Sequence, residues 1–376
     1  MNFMANEFFR KPKDTPNDRY LIRRGVPVNE QRYRKMETLK NMRRTVTGII
    51  MLSVLCVITL TAYSCANNYP KPVNPNATPE AKSLLEMLYR TVDEGKIISG
   101  LHHNQLNMPA YRYDLNNIER ACGKEPMIWG GDVAWDASRV IELAQENYAN
   151  GHIITLMWHA ARPMDHGIVN FRGQTQGEFS DEQWDELMTV GSDMYNSWLA
   201  QVDSISQYLK VLRDHRIPVL WRPYHEMNGE WFWWGWREGE RGFKELWKRL
   251  YDRMVNYHHL DNLIWVWNAN APRNIPGDTA KDYALFYPGN DYVDVLATDV
   301  YNRDWKQSHH DQLIELGKGK LIAIGELGNL PNPSDLDTQN RFAWFMIWTS
   351  FTSERYNTQA DIKAIFERPG TVCMPE

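Results

Sequence analysis

Residues 218–226 read Pro218-Val219-Leu220-Trp221-Arg222-Pro223-Tyr224-His225-Glu226. The stretch opens apolar, without polar alternation, and closes on charged and aromatic groups. A short continuous apolar run is what a parallel strand shows when protein covers both of its faces. Polar groups gathered at its C-terminal end would stand together at one rim of such a sheet. Pro218–His225 is therefore taken as a strand, with Glu226 closing it.

The same pattern recurs along the chain. Ile97–Leu101, Met127–Val133, His152–His159, Leu263–Asn268, Asp294–Tyr301, Leu321–Glu326 and Phe342–Trp348 are apolar runs bounded by Gly, Pro or Asn, and bring the candidate strands to eight. Thr78-Pro79-Glu80 reads as an N-cap with proline at the first helical position. Leu84, Leu85, Leu88 and Val92 follow at helical spacing, on a helix expected to cover the bottom of the domain. Trp184, Leu187 and Met188 start another apolar face, which resumes at Met194 after a break at Gly191. Phe243, Leu246, Trp247, Leu250 and Met254 mark a third; the connection before the last strand is mostly loop. Eight such units over roughly 290 residues fit an α/β chain folded as a (β/α)8 TIM barrel, whose usual size is about 250 residues plus insertions. A doubly wound open sheet would want a G-x-G-x-x-G turn, which the sequence lacks. One catalytic domain over 78–376 is expected, with a long insertion at Ala161–Ser180.

Composition narrows the function. With 24% charged and 43% hydrophobic residues, neither a disordered chain nor a multi-span membrane protein fits. The net charge of −5 divides into +7 over residues 1–48 and −12 over the rest. An acidic body opposes nucleic-acid binding, which needs a basic face. Val46–Ser64 is uncharged and follows Arg43-Arg44, the order of a secretory signal. Ala62-Tyr63-Ser64-Cys65 resembles a bacterial lipoprotein box, which implies lipidation at Cys65. The alternative is a signal anchor, since the run is long enough to span a bilayer. The chain then divides into 1–41, an over-extended start or short cytoplasmic tail; 42–64, a lipoprotein signal peptide; and 65–77, a linker. The body is expected at the cell envelope of a Gram-negative bacterium, held to the outer membrane by its lipid. Ala66-Asn67-Asn68-Tyr69 carries no acidic residue of the kind that tends to mark surface export, so a periplasm-facing position is preferred. Cys122 and Cys373 remain in the body, paired or as two free thiols.

The strand ends collect the candidate chemistry: Asp132, Trp158-His159, Arg222 to Glu226, Asn268-Ala269-Asn270, Asp299-Val300-Tyr301 and Gly325-Glu326-Leu327-Gly328. In a barrel of this kind active residues come from the C-terminal ends of strands. Glu226 and Glu326 close strands that should be buried, and burying a carboxylate is costly unless it is paired or used. Two of them facing one cavity suit glycoside hydrolysis, where a retaining enzyme sets its carboxyl groups about 5–5.5 Å apart. Strands four and seven are expected across the barrel from each other. The competing explanation is a buried structural ion pair such as Arg222 with Glu326. The loop Trp231-Phe232-Trp233-Trp234-Gly235-Trp236 favours the sugar reading. So many aromatics in a glycine-containing loop are expected to resist full burial, and flat rings suit the C–H face of a sugar.

The segment Arg222-Pro223-Tyr224-His225-Glu226-Met227-Asn228-Gly229-Glu230-Trp231-Phe232-Trp233-Trp234-Gly235 resembles the signature of glycoside hydrolase family 26, best known for β-1,4-mannanases. Gly130-Gly131-Asp132, Trp158-His159, Asp299-Val300-Tyr301 and Gly325-Glu326-Leu327-Gly328 resemble the family's motifs at the matching strands, so the likeness runs from about Thr78 to Glu376. The resemblance implies a retaining (β/α)8 barrel with Glu226 as acid/base and Glu326 as nucleophile. It also implies that His225 contacts the nucleophile and the sugar 2-OH region, His159 the sugar in the cleaved subsite, and Tyr301 the nucleophile. Trp231 would stack beside the cleavage point.

Other residues divide between site and scaffold. Arg222 and Tyr301 could stabilise a charged Glu326. Asp132 is equally suited to support His159 or to bind a sugar hydroxyl. Trp348 is either core or sugar platform, and His103, just after strand one, is a candidate cleft residue. Trp184, Trp198 and Trp247 read as packing of the outer helices, and Trp265 and Trp267 as structural. The adjacent pairs His102-His103, His258-His259 and His309-His310 lack metal-ligand spacing, so no metal or cofactor is expected. The expected partner is a β-mannan oligo- or polysaccharide (mannan, galactomannan or glucomannan), met by a monomer. Alternatives are a mannobiose-releasing exo-mannanase, a β-1,3-1,4-glucanase or β-1,3-xylanase, and a glycan-binding lipoprotein without activity.

Overall fold

The computed structural model describes residues 69–103, 110–165 and 171–375. The expected signal peptide, Cys56, Cys65 with its expected lipid, and the basic N-terminal segment lie outside these residues.

The chain enters through α1, Pro79–Asp93. Thr78 caps it, its side chain accepting from the Ala81 amide, with Pro79 supplying the fixed φ of a first helical residue. Strands and helices then alternate: β1 Ile97–His102, α2 Ala110–Cys122, β2 Ile128–Asp132, α3 Ala137–Ala149 and β3 Ile153–Trp158. A π-turn at Phe171–Thr175 and the short α4, Asp181–Leu187, occupy the long connection after β3. The chain continues through α5 Asp193–Asp214, β4 Val219–Pro223, α6 Phe243–Asp252, β5 Leu263–Asn270, β6 Val295–Val300, α7 Gln307–Gly317 and β7 Leu321–Leu327. It ends with α8 Pro333–Thr338, β8 Phe342–Ile347, α9 Gln359–Phe366 and β9 Thr371–Val372.

β1 to β8 pair in parallel with their sequence neighbours, and β1 pairs with β8 as well as β2, so the sheet closes. The result is the (β/α)8 TIM barrel expected from the strand pattern. Every residue of these eight strands is buried, as parallel strands between a core and a helical ring must be. Two apolar clusters follow from the strand alternation. One lies between strands and helices and includes Trp198, Trp221, Trp247, Trp265 and Trp267. The other fills the lower barrel, where Leu84, Leu85, Leu88 and Val92 of α1 meet Ile98, Ile264, Val295, Leu321 and Trp344. The hydrophobic positions of α1 thus close the N-terminal end of the barrel, leaving the C-terminal end for the site.

Two expectations change, and one strand is added. The linker does not extend to residue 77: the Val73 amide donates to Asp294 at 2.7 Å, and Asn74 and Ala77 are buried, so the packed body starts earlier. β9, too short to announce itself, extends the sheet by pairing Ile97 with Thr371. β4 and β7 stand three places apart in the ring rather than directly opposite. Cys122 and Cys373 are free, half-buried thiols.

Candidate active site

At the C-terminal end of the barrel lies a cavity of about 350 Å³, within the range of small-ligand sites. His159, His225, Glu226, Trp231, Tyr301, Glu326 and Trp348, each expected at the site, line it. Its remaining walls come from Phe171, Gln176, Phe232, Asn270, Arg273, Asp278, Asn302 and Phe351.

Glu226 follows β4 in a tight turn and holds a left-handed backbone, with φ 54°, as does Tyr224 at φ 48°. A bulky residue adopts this region only when its surroundings dictate it. Here the Glu226 amide donates to the Asn268 carbonyl at 2.7 Å, and Trp198 Nε1 donates to the Tyr224 hydroxyl at 2.9 Å. The turn directs the Glu226 side chain into the cavity. Trp231 Nε1 donates to Glu226 Oε2 at 2.7 Å, and Asn270 Nδ2 donates to Oε1. Gly229 permits the first contact, because a Cβ there would lie 2.3 Å from the Trp231 ring.

Glu326 projects from β7. Tyr301 donates its hydroxyl to Oε2 at 2.7 Å, Arg222 Nη1 donates to Oε1 at 3.3 Å, and His225 Nε2 stands 3.8 Å from Oε1. One carboxylate oxygen each of Glu226, Glu326 and Asp299 lie within 4.8 Å of one another. Among the described residues these three could also take up a metal ion together. The Arg222 guanidinium already supplies positive charge to that cluster.

The two glutamates differ electrostatically. Burial, then the neighbouring Glu326, push Glu226 up to about 7, partly opposed by Asn270, Trp231 and Arg273. Burial also raises Glu326, but Arg222, Tyr301 and His159 act against it. Both carboxyls are thus raised, with neutral donors on Glu226 and a guanidinium opposing the rise at Glu326. Asp299, buried and close to both glutamates, is held well above its ordinary value. His225 is held neutral by burial and by the charges of His159 and Arg222.

Asp132 lies beneath the wall. Its Oδ2 is 2.6 Å from His159 Nδ1, and its Oδ1 accepts from the His159 amide at 3.3 Å. Of its two expected roles the structure shows support of His159. Trp348 is half-buried and stacks on His102, the rings nearly parallel with centroids 4.2 Å apart. Arg222 is fully buried below the cavity, bridging Glu326 and Asn268.

Two expectations fail here. His103 does not face the cavity: its ring packs on Tyr111 and Trp129, on the helix side of the barrel wall, while the preceding His102 lies against Trp348. Adjacent strand residues point to opposite faces, and the inward one is His102. The aromatic loop is also more deeply buried than expected. Trp233 and Trp234 are buried, donating to the carbonyls of Ala160 and His225, and only Trp231 and Phe232 of the five rings reach the cavity. Among the residues not singled out as site residues, Asn270 was signalled by its place at a strand end. Arg273 and Asp278 lie in the loop beyond it, without a local signal.

Residues 73–376 match glycosyl hydrolase family 26. The mannan endo-1,4-beta-mannosidase of Thermothelomyces thermophilus is 33% identical over 312 residues, covering 78% of this chain and 60% of that protein. The mannan endo-1,4-beta-mannosidase A of Piromyces is 29% identical, covering 82% of this chain and 50% of its own length. The chain thus spans only half or a little more of these relatives. The structure of GH26A from Muricauda superposes with a TM-score of 0.76 at 45% identity, covering 80% of this chain and 98% of that one. A beta-mannanase from a symbiotic protist of the termite Reticulitermes speratus, complexed with gluco-manno-oligosaccharide, gives a TM-score of 0.69 at 26% identity, covering 81% of this chain and 96% of that one.

Proposed function

The chain belongs to glycosyl hydrolase family 26, and from that membership we propose that it hydrolyses β-1,4-mannosidic linkages of mannan, galactomannan or glucomannan with retention of configuration. The observation that carries the reading is the pair of buried carboxyl groups, within 4.8 Å at their oxygens and in unequal surroundings. That separation suits double displacement, which places the groups about 5–5.5 Å apart and leaves no room for the water of an inverting enzyme.

In the first step Glu326 attacks the anomeric carbon while the proton of Glu226 passes to the departing glycosidic oxygen. The C–O bond to the leaving sugar breaks as the bond to Glu326 forms. Arg222 and Tyr301 hold Glu326 ionised and aimed. In the second step Glu226, now a carboxylate, takes a proton from water, whose oxygen displaces Glu326 and restores the original anomer. His159, fixed by Asp132, and His225 line the subsite beside the nucleophile, and Trp231 and Trp348 offer ring faces to the sugars.

The test is hydrolysis of mannan, galactomannan, lichenan and xylan with product sizing over time, and proton NMR of the first anomer released. Cleavage of mannans to mixed oligosaccharides as the β-anomer is expected. Mannobiose as the sole early product would indicate exo action, activity on lichenan or xylan alone another substrate, and silence on all four a glycan-binding protein. Glu326→Ala abolishes turnover, and azide added with an activated aryl β-mannobioside gives the inverted α-glycosyl azide. Full activity in that variant would overturn the assignment.

We also propose that the body acts as a monomer, tethered through a lipid on Cys65 to the outer membrane and facing the periplasm. Detergent phase partition of the full chain from a Gram-negative host tests this: recovery in the aqueous phase would exclude the anchor.

A further inference from the structure

We infer that Arg273 is a positioning residue for the Glu226 carboxyl group, bracing from one guanidinium both side chains that donate to it. The inference rests on the acid/base role of Glu226 proposed above. Arg273 lies in the loop after β5, its side chain only 10% exposed. Its Nη1 donates to Asn270 Oδ1. Its guanidinium carbon stands 5.2 Å from the centre of the Trp231 ring. Asn270 and Trp231 are the two donors to Glu226, one to each carboxyl oxygen. Arg273 is itself fixed by Asp278, which accepts from Nε at 2.9 Å and from Nη2.

Chemistry gives this arrangement a direction. An asparagine amide can present either its oxygen or its nitrogen to a neighbour. A guanidinium only donates, so Arg273 claims the amide oxygen and obliges Asn270 to turn its NH2 toward Glu226. The Asn270 backbone is pinned as well: its amide donates to Asn228 Oδ1 at 2.8 Å, and Asn228 Nδ2 donates to its carbonyl at 2.8 Å. On the other side, the cation over the indole holds the Trp231 ring that donates to Oε2. With one fixed donor on each oxygen, the Glu226 proton is left the remaining lone pairs. Were Arg273 only the cationic half of an ion pair with Asp278, it would have no need to reach an amide oxygen. Such a pair, with the carboxylate partly in solvent, contributes little on its own.

The arrangement also has an electrostatic consequence. Glu226 is faced by Glu326 of β7, by Asp299 and Tyr301 of β6 and the turn after it, and by Arg222 and His225 of β4 and the turn after it. His159 after β3, and Arg273 with Asp278, complete the set. Arg273 is a cation that lowers the proton affinity of Glu226. Removing it should raise that affinity.

Two substrates separate positioning from binding or scaffolding. Mannotetraose has a sugar leaving group that needs the proton of Glu226; 2,4-dinitrophenyl β-mannobioside has one that does not. The quantity compared is kcat/KM, which reports the first chemical step in both cases. For Arg273→Met we expect a loss of roughly 10–100-fold on mannotetraose, a fraction of what a general acid supplies. The loss on the aryl glycoside should stay within about threefold. In the unliganded protein, 13C NMR of labelled glutamate carboxyls, with Glu226 identified by its absence in Glu226→Gln, should titrate at higher pH in Arg273→Met. Arg273→Lys keeps a cation but not the fork, so it should lose rate on mannotetraose with little change in that titration. It also serves as the informative variant if Arg273→Met does not fold. Equal losses on the two substrates, no loss on either, or an unmoved Glu226 titration in Arg273→Met would overturn the inference. The wild-type protein is assayed first. If it leaves mannotetraose and mannan intact, the activity assignment falls, while the NMR titration still judges the contact between Arg273 and Glu226.

Discussion

Two carboxyl groups of the same chemistry receive different donors, and that difference divides their roles. Glu226 takes hydrogen bonds from a neutral indole and a neutral amide, while Glu326 takes one from a guanidinium and one from a phenol. The bell of kcat/KM against pH should therefore fall on its alkaline side near pH 7, where Glu226 loses its proton, and on its acid side where Glu326 gains one. Tyr301→Phe removes a donor that favours ionised Glu326. The proton affinity of Glu326 then rises, so the acid limb moves to higher pH and the bell narrows. A lost hydrogen bond to a charged group should reduce kcat/KM roughly 10–100-fold. An acid limb unmoved in Tyr301→Phe would show that the phenol does not act through Glu326. At this scale the sequence was informative wherever chemistry stood at a strand end, as with Glu226, Glu326 and Tyr301. It was silent on Arg273, because the loop that returns this side chain to Asn270 leaves no local pattern.

Strands and loops differed in how far they could be read. Runs such as Leu321–Glu326 declared themselves because burial on both faces removes polar alternation, whereas β9 is only two residues long. The aromatic loop was misjudged for a physical reason. Trp233 is buried against Ala160, Phe179 and Trp184, which belong to the connection after β3 and are distant in sequence. Where strands face each other inside the barrel, one glycine has a defined duty. A Cβ on Gly325 of β7 would fall 1.6 Å from Asn268 Oδ1 and 2.9 Å from Asp299 Oδ1. Asn268 bridges the barrel there, donating to Asp299 Oδ2 at 2.6 Å and accepting from Arg222 Nη1 at 2.9 Å. Gly325→Ala must therefore displace the amide and, through it, Arg222. Overpacking of this kind costs about 1–3 kcal/mol, and the displaced guanidinium should also lift the acid limb of the pH profile. Calorimetry and the pH dependence of kcat/KM check the two effects, and a variant with wild-type values of both would refute the role of the Asn268 bridge.

Across the whole molecule, stability and chemistry occupy opposite ends of one barrel. The lower barrel is apolar and closed by α1, whereas the upper layer carries Arg222, Asn268, Asp299 and Glu326 under the cavity. The helix was legible from the spacing of Leu84, Leu85, Leu88 and Val92, and its duty as a plug followed from the expected barrel. The meeting of Asn270 with Arg273 had no such route. This division makes a prediction that neither end makes alone. Leu88 is fully buried in the cluster where α1 meets the strands. Leu88→Ala removes its side chain without a polar consequence and should cost about 2–5 kcal/mol. For a domain of this size that lowers the thermal midpoint by roughly 3–8 °C. Because the site stands on the C-terminal ends of strands whose pairing is untouched, kcat and KM measured well below the new midpoint should match the wild type. A proportionate fall in kcat at low temperature would mean that the plug sets the geometry of the glutamates as well as the stability of the barrel, and that the two ends are mechanically coupled through the strands.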